Sequence, residues 1–296
     1  MIARLIPFGY LLFIGISWGA TQPLTKIAVS TGHGHFGLIF WQLVISVIVL
    51  GSVNVVRRRP LPMHRAVWKF YIVIALVGTV IPNTTSYQAI AVLPSGLMSL
   101  FLSLVPMLAF PVALALGLDR FNWRRLGGLS LGLVAVLLIV GVPEALPQGA
   151  MLAFVPLSIV APVLYAFEGN FVAKWGTGGA GPIQLLLGAS VVGSVIAAPL
   201  AWYSGHWINP LNPWGQAEWA LLGASVIHSI VYTMYVTIIG RFGPVFSVQV
   251  GYVVTLSGLG WAMLILGEAY TGPIWVALAL LMCGVYLVSP KPEKDT

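Results

Sequence analysis

The sequence predicts an all-α integral membrane protein of ten transmembrane helices, arranged as two five-helix repeats of inverted topology. Three observations lead there. The composition is 59% hydrophobic and only 7% charged, with a mean hydropathy of +0.97, whereas a soluble domain carries about 25% charged residues because its surface faces water. The apolar residues fall into ten runs, each close to the ~20 residues that a bilayer crossing needs. Finally, the lysines and arginines sort almost completely to one side of those ten crossings.

The first run, 7–28, follows Arg4 and continues through Trp18 and Pro23 without a small-x-small cleavage site, so it reads as a retained helix. The second, 36–56, ends on Arg57-Arg58-Arg59-Pro60. Leu93-Pro94-Ser95-Gly96 separates the third run, 68–89, from the fourth, 94–116. The fifth, 124–142, lies between Gly117-Leu118-Asp119-Arg120-Phe121 and Gly141-Val142-Pro143. The sixth and seventh, 150–173 and 182–203, flank Trp175-Gly176-Thr177-Gly178-Gly179. The eighth and ninth, 217–239 and 244–266, meet at Phe242-Gly243-Pro244, and the tenth, 272–289, follows Gly267-Glu268-Ala269-Tyr270. Connections this short make consecutive helices antiparallel neighbours. Pro23, Pro82, Pro106, Pro111, Pro156 and Pro162 fall inside the runs and predict kinks.

With the N-terminus placed in the cytoplasm, the cytoplasmic segments hold Arg4, the group Arg57, Arg58, Arg59, Arg65 and Lys69, then Arg120, Arg124 and Arg125, then Lys174, Arg241, Lys291 and Lys294. Of the 14 basic residues only Lys26 falls on the other side. Miscounting by one helix would scramble the partition, so the positive-inside rule supports ten spans with both termini cytoplasmic. The net charge of +7 is thereby explained by orientation in the bilayer, with no nucleic-acid partner implied. The partners expected are membrane lipids and a small-molecule substrate, with the chain a monomer or homodimer. The lone cysteine, Cys283, excludes an intramolecular disulfide framework.

The two halves, 1–143 and 150–290, repeat. Pro94 and Gly117 match Pro244 and Gly267, and Asp119 and Phe121 match Glu268 and Tyr270 one residue out of step. Five spans per half is odd, so the second half enters from the opposite side, a construction that secondary transporters use around a midplane site.

The chain resembles the drug/metabolite transporter superfamily, in its ten-helix EamA branch, through Ser17-Trp18-Gly19, the Pro-led fourth and ninth helices, the turns at Gly117 to Phe121 and Leu266-Gly267-Glu268, and a tyrosine-bearing eighth helix. The resemblance implies two inverted five-helix bundles around a central cavity, and traffic in amino acids, metabolites, nucleotide-linked compounds or drugs, often outward. Two departures stand out. Where many relatives carry an arginine early in the second helix, this chain reads Phe40-Trp41-Gln42. Where the four-helix multidrug members carry a glutamate in the first helix, it reads Trp18-Gly19-Ala20-Thr21-Gln22, so their proton-coupled drug export does not carry over.

Ionisable residues inside a membrane are costly and mark functional sites by default. His228, near the centre of the eighth helix, can donate and accept a hydrogen bond; the bland alternative is a bond to a neighbouring helix. Glu168, in the sixth, suits a substrate ammonium or a proton, or else pairs with Lys174 or Arg241. Lys26, near an end of the first helix, is expected to snorkel to the interface. Neutral candidates for the cavity are Trp18 and Gln22 on the first helix, Asn83 and Tyr87 on the third, and Ser99 on the fourth. The second half adds Tyr165, Tyr232, Tyr235, Tyr252 and Trp261. Aromatic groups beside hydrogen-bonding groups suit an amphipathic organic solute, and aromatic faces hold cations.

The expected function is secondary transport of an amino acid or related metabolite by alternating access across a bacterial-type inner membrane, with export implied by the resemblance alone. Import or exchange is the alternative within transport. An intramembrane enzyme would need an acid, base or nucleophile set at one depth, and no motif joins His228 to Glu168. His33 and His35 share an outer loop with no nearby cysteine or carboxylate in sequence, so no metal is expected, and no phosphate-binding loop or other cofactor motif is present.

Overall fold

The computed structural model describes residues 2–141, 149–247 and 249–289, without the side chains of 2–6, 149–150, 236 and 239–247. Val142, Pro143, Lys291 and Lys294 lie outside the described residues, as do the side chains of Arg4, Arg241, Phe242 and Pro244.

Among the described residues all regular structure is helical. Span 1 is α1 (Ile2–Gly19) followed by α2 (Thr21–Val29), and span 2 is α3 (His35–Val56). Span 3 joins α4 (Arg65–Ala75) through a π-helical segment, Leu76–Val80, to α5 (Ile81–Val92). Span 4 is α6 (Ser95–Leu102) and α7 (Val105–Ala115), span 5 is α8 (Trp123–Gly141), and span 6 is α9 (Val155–Trp175). Spans 7 to 10 are α10 (Pro182–Tyr203), α11 (Gln216–Ser247), α12 (Val250–Leu266) and α13 (Gly272–Val288). Spans 2 to 7 are each long and apolar enough to cross a membrane, and α12 and α13 are shorter apolar helices.

The breaks in spans 1, 3 and 4 share a cause. Pro23, Pro82 and Pro106 each sit in the first turn of the second piece. A proline gives no N–H to the carbonyl four residues back, here those of Gly19, Gly78 and Leu102. At the span 1 break the Ala20 N–Ile16 O bond stretches to 3.4 Å. Span 9 compensates there, with Trp261 Nε1 donating to Ile16 O at 2.9 Å and Ser257 Oγ to Gly15 O at 3.0 Å. Pro111 and Pro162 lie within continuous helix instead.

One boundary differs from the sequence expectation. The chain stays helical through Gly240, Gly243 and Pro244 to Ser247, and span 9 is helical from Val250. Glycine and proline are weaker helix stops in a bilayer, because neighbouring groups satisfy the freed backbone.

Packing follows a pseudo-two-fold exchange of the repeats. Span 1 lies on spans 8 and 9, and span 6 lies correspondingly on spans 3 and 4. Spans 2 and 7, 4 and 9, and 5 and 10 pair with each other, while span 2 lies on span 8 as span 7 lies on span 3. The largest core joins spans 4, 5, 9 and 10 through Leu97, Phe101, Met107, Ile139, Leu259 and Leu281.

The two ends of the bundle differ. One, the basic end, carries Arg57 to Arg59, Arg120 and Lys174. At the opposite end α2 wedges among α5, α6, α11 and α12. Lys26 Nζ there donates to Ala91 O at 3.0 Å and Leu93 O at 3.1 Å, two carbonyls at the end of span 3, and His33 meets Glu218 at 2.6 Å. Glu268 accepts from the backbone N–H groups of Ser95 (2.8 Å) and Gly96 (3.2 Å) and from the Tyr270 hydroxyl. At the basic end Lys174 Nζ instead holds Leu116 O, at 2.8 Å.

Glu268 supplies from the second repeat the cap that Pro94 cannot supply for α6. Glu268→Ala is expected to cost about 1–2 kcal/mol, the worth of an N-terminal cap with its helix-dipole contribution. Thermal unfolding of purified protein in detergent checks this, and an unchanged midpoint contradicts it.

Candidate functional site

Mid-bundle, two polar groups face each other. The first is built on α1 and α11. Trp18 Nε1 donates to His228 Nδ1 at 3.1 Å, so in the neutral imidazole the proton sits on Nε2. Trp18 also presents its ring edge-on to Tyr235, at 5.6 Å between centroids, and Tyr232 stacks on His228 at 6.4 Å. Residues 228, 232 and 235 share one face because helix neighbours recur every three to four residues.

The second group joins spans 2, 3 and 6. Gln42 Oε1 accepts from Asn83 Nδ2 at 2.9 Å and from the Tyr87 hydroxyl, while Tyr165 OH reaches Asn83 Oδ1 at 3.5 Å. Asn83 and Tyr87 are buried. Three residues after Tyr165, Glu168 turns its carboxylate onto the π-segment of span 3. A Cβ added to Gly78 would stand 2.6 to 2.8 Å from the carboxylate atoms and would displace them. The carboxylate lies within electrostatic reach of the Tyr165 and Tyr232 hydroxyls, which links the two groups. Among the described residues it has no ion-pair partner. Trp18, Tyr165, Glu168, His228, Tyr232 and Tyr235 are each neither buried nor exposed, although all lie mid-span.

Both repeats of the chain match one family model, that of the EamA-like transporter family, over residues 6–141 and 152–289. The chain belongs to the EamA-like transporter family. Among curated proteins it is similar to the S-adenosylmethionine/S-adenosylhomocysteine transporters of Chlamydia trachomatis serovars L2 and D, each 23% identical over 94% of this chain and 88% of the relative. A crystal structure described only as that of a protein shares the fold, with a TM-score of 0.62 and 15% identity over 94% of this chain and 95% of the other.

Eight of the twelve residues expected at the site of this EamA-like protein thus gather mid-bundle: Trp18, Asn83, Tyr87, Tyr165, Glu168, His228, Tyr232 and Tyr235. Four lie elsewhere. Ser99 is buried with its hydroxyl unbonded, against Gly258 in the crossing of spans 4 and 9. Tyr252 packs on the core of spans 4, 5 and 10. Trp261 braces the span 1 break. Gln22 is half-buried on α2 and forms no hydrogen bond among the described residues. Lys26, expected to snorkel to the interface, binds carbonyls at the end of span 3. Glu168 does not meet Lys174, which holds Leu116 O, and Arg241, the other partner expected for it, lies outside the described side chains.

Gln42 is the residue that sequence reasoning passed over as a site candidate. Its signal was an amide midway along an apolar helix, at the region where many relatives carry arginine. At the loop, His33 pairs with Glu218, and among the described residues no three of His, Cys, Asp and Glu cluster.

Proposed function

We propose that this chain is a secondary transporter working by alternating access, whose substrate carries a positive charge beside an aromatic ring system. The observation that carries this reading is Glu168, a mid-span carboxylate without an ion-pair partner among the described residues. A charge held away from water is strongly disfavoured unless neutralised, so the site calls for a cation or a proton. The rings of Tyr165, Tyr232, Tyr235 and Trp18 offer faces for a planar group and for the cation itself, and Gln42, Asn83 and Tyr87 add hydrogen-bonding groups.

The C. trachomatis relatives supply a substrate class with these properties. S-adenosylmethionine combines adenine, a sulfonium and an amino acid head group. Exchange of this compound for S-adenosylhomocysteine is the mode we favour, with export as one direction of it. The basic partition supports both termini in the cytoplasm of a bacterial plasma membrane. An enzyme reading lacks support at His228, whose ring meets Trp18 and Tyr232 and, among the described residues, no serine or cysteine.

Calorimetric titration of the purified protein tests the assignment. S-adenosylmethionine is expected to bind saturably, and more tightly than 5′-methylthioadenosine, which keeps the adenosine and lacks the sulfonium and the amino acid. Equal binding of the two, or none of either to folded protein, overturns it.

A further inference from the structure

We propose that the basic end holds a specific site for the phosphodiester headgroup of an anionic phospholipid, between the start of α8 and the end of α13. A cavity of ≈ 320 Å³ opens there, lined by Asn122, Arg124, Arg125, Leu287 and Ser289. It sits apart from the mid-bundle site, at the ends of two spanning helices, the depth at which headgroups lie.

Charge selects the ligand. Arg125 is paired with Asp119 and lies 5.8 Å from the Phe110 ring centroid, so it is held in place and largely neutralised. Arg124 has no carboxylate partner among the described residues. Its Nη2 donates to Tyr286 O at 3.1 Å, and its guanidinium lies 5.3 Å from the Tyr286 ring centroid. One acceptor leaves most of the five guanidinium donors free, on a planar fork that suits phosphate oxygens. Asn122 fixes the backbone, its Oδ1 accepting from the N–H of Arg124 at 2.9 Å.

The surroundings favour a lipid over a free anion. Trp123 and Tyr286 flank the cavity at 78% and 66% exposure. Phe121 stands edge-on to Trp123 at 5.0 Å. Exposed aromatic rings beside arginines are the pattern of a membrane–water interface, and basic pockets between spanning helices receive anionic headgroups. The acyl chains would then run along the outer faces of α8 and α13, where Leu133, Val134, Leu137, Trp275 and Val276 are exposed.

The test titrates full-length protein in neutral detergent with dioleoylphosphatidylglycerol, dioleoylphosphatidylcholine or inorganic phosphate, reading retained lipid by native mass spectrometry and the unfolding midpoint. The expected result is one retained phosphatidylglycerol per chain and a raised midpoint, with neither reproduced by phosphatidylcholine or phosphate. Arg124→Gln is expected to weaken phosphatidylglycerol binding about fivefold, the share of one interfacial arginine, while Lys69→Gln, at the same end, leaves it unchanged. Should Arg124→Gln fold poorly, Leu287→Trp fills the cavity and is expected to abolish retention. Wild-type retention by both site variants overturns the proposal. So does equal retention of the two lipids, or a phosphate shift that accounts for the whole effect.

Discussion

Glu168→Gln is expected to lower the affinity for S-adenosylmethionine at least tenfold and to leave 5′-methylthioadenosine binding within about twofold. The amide keeps the size and loses only the charge. A hydrogen bond to a charged partner contributes about 1.5–3 kcal/mol, and each 1.4 kcal/mol is a factor of about ten in affinity. The pairing of a charged and a neutral adenosine separates loss of charge recognition from general damage to the site. Equal weakening of both ligands would mean that Glu168 shapes the cavity without reading charge. No change in either would remove it from the site.

Gly78→Ala is expected to reproduce most of that loss without touching a polar group. The new methyl would meet the Glu168 carboxylate at 2.6 to 2.8 Å, closer than any real contact, so the carboxylate must move. The π-segment around Gly78 leaves little backbone slack, since Pro82 lies directly after it. Binding of S-adenosylmethionine is expected to fall about tenfold, the loss of a misplaced charged contact. In a Glu168→Ala background the same substitution has nothing to displace and should cost little. That failure of additivity marks two residues acting through one contact. Additive losses in the double variant would place the effect of Gly78 in the helix itself.

The membrane architecture was legible because its causes are local. Runs of apolar residues and the sidedness of arginines set the spans, and the Pro94–Gly117 and Pro244–Gly267 spacing exposed the repeat. The boundary after span 8 was misplaced because glycine and proline were read with the stopping power they have in water. At the candidate site, Glu168, His228 and Trp18 stand out in the sequence because charge and amphipathic rings are conspicuous inside apolar runs. Gln42 was missed because its meaning lies in register: only when spans 2 and 3 pack does its amide meet both Asn83 and Tyr87. Ser99 and Trp261 show the converse. A small serine can settle in a helix crossing, and an indole N–H can satisfy a freed carbonyl, so their polarity serves packing. Glycines carried the least visible information. Gly78, Gly19 and Gly258 matter through what stands against them, and no local pattern reveals that.

The central claim, that this EamA-like chain is a carrier for a cationic adenosyl compound, is tested most directly by counterflow. Proteoliposomes are loaded with unlabelled S-adenosylmethionine and diluted into a trace of the labelled compound. A carrier gives transient accumulation above equilibrium that saturates with substrate and is lost in Glu168→Gln. Labelled uptake no greater than in protein-free liposomes, with the protein shown to be folded, would contradict the account, as would uptake that never saturates.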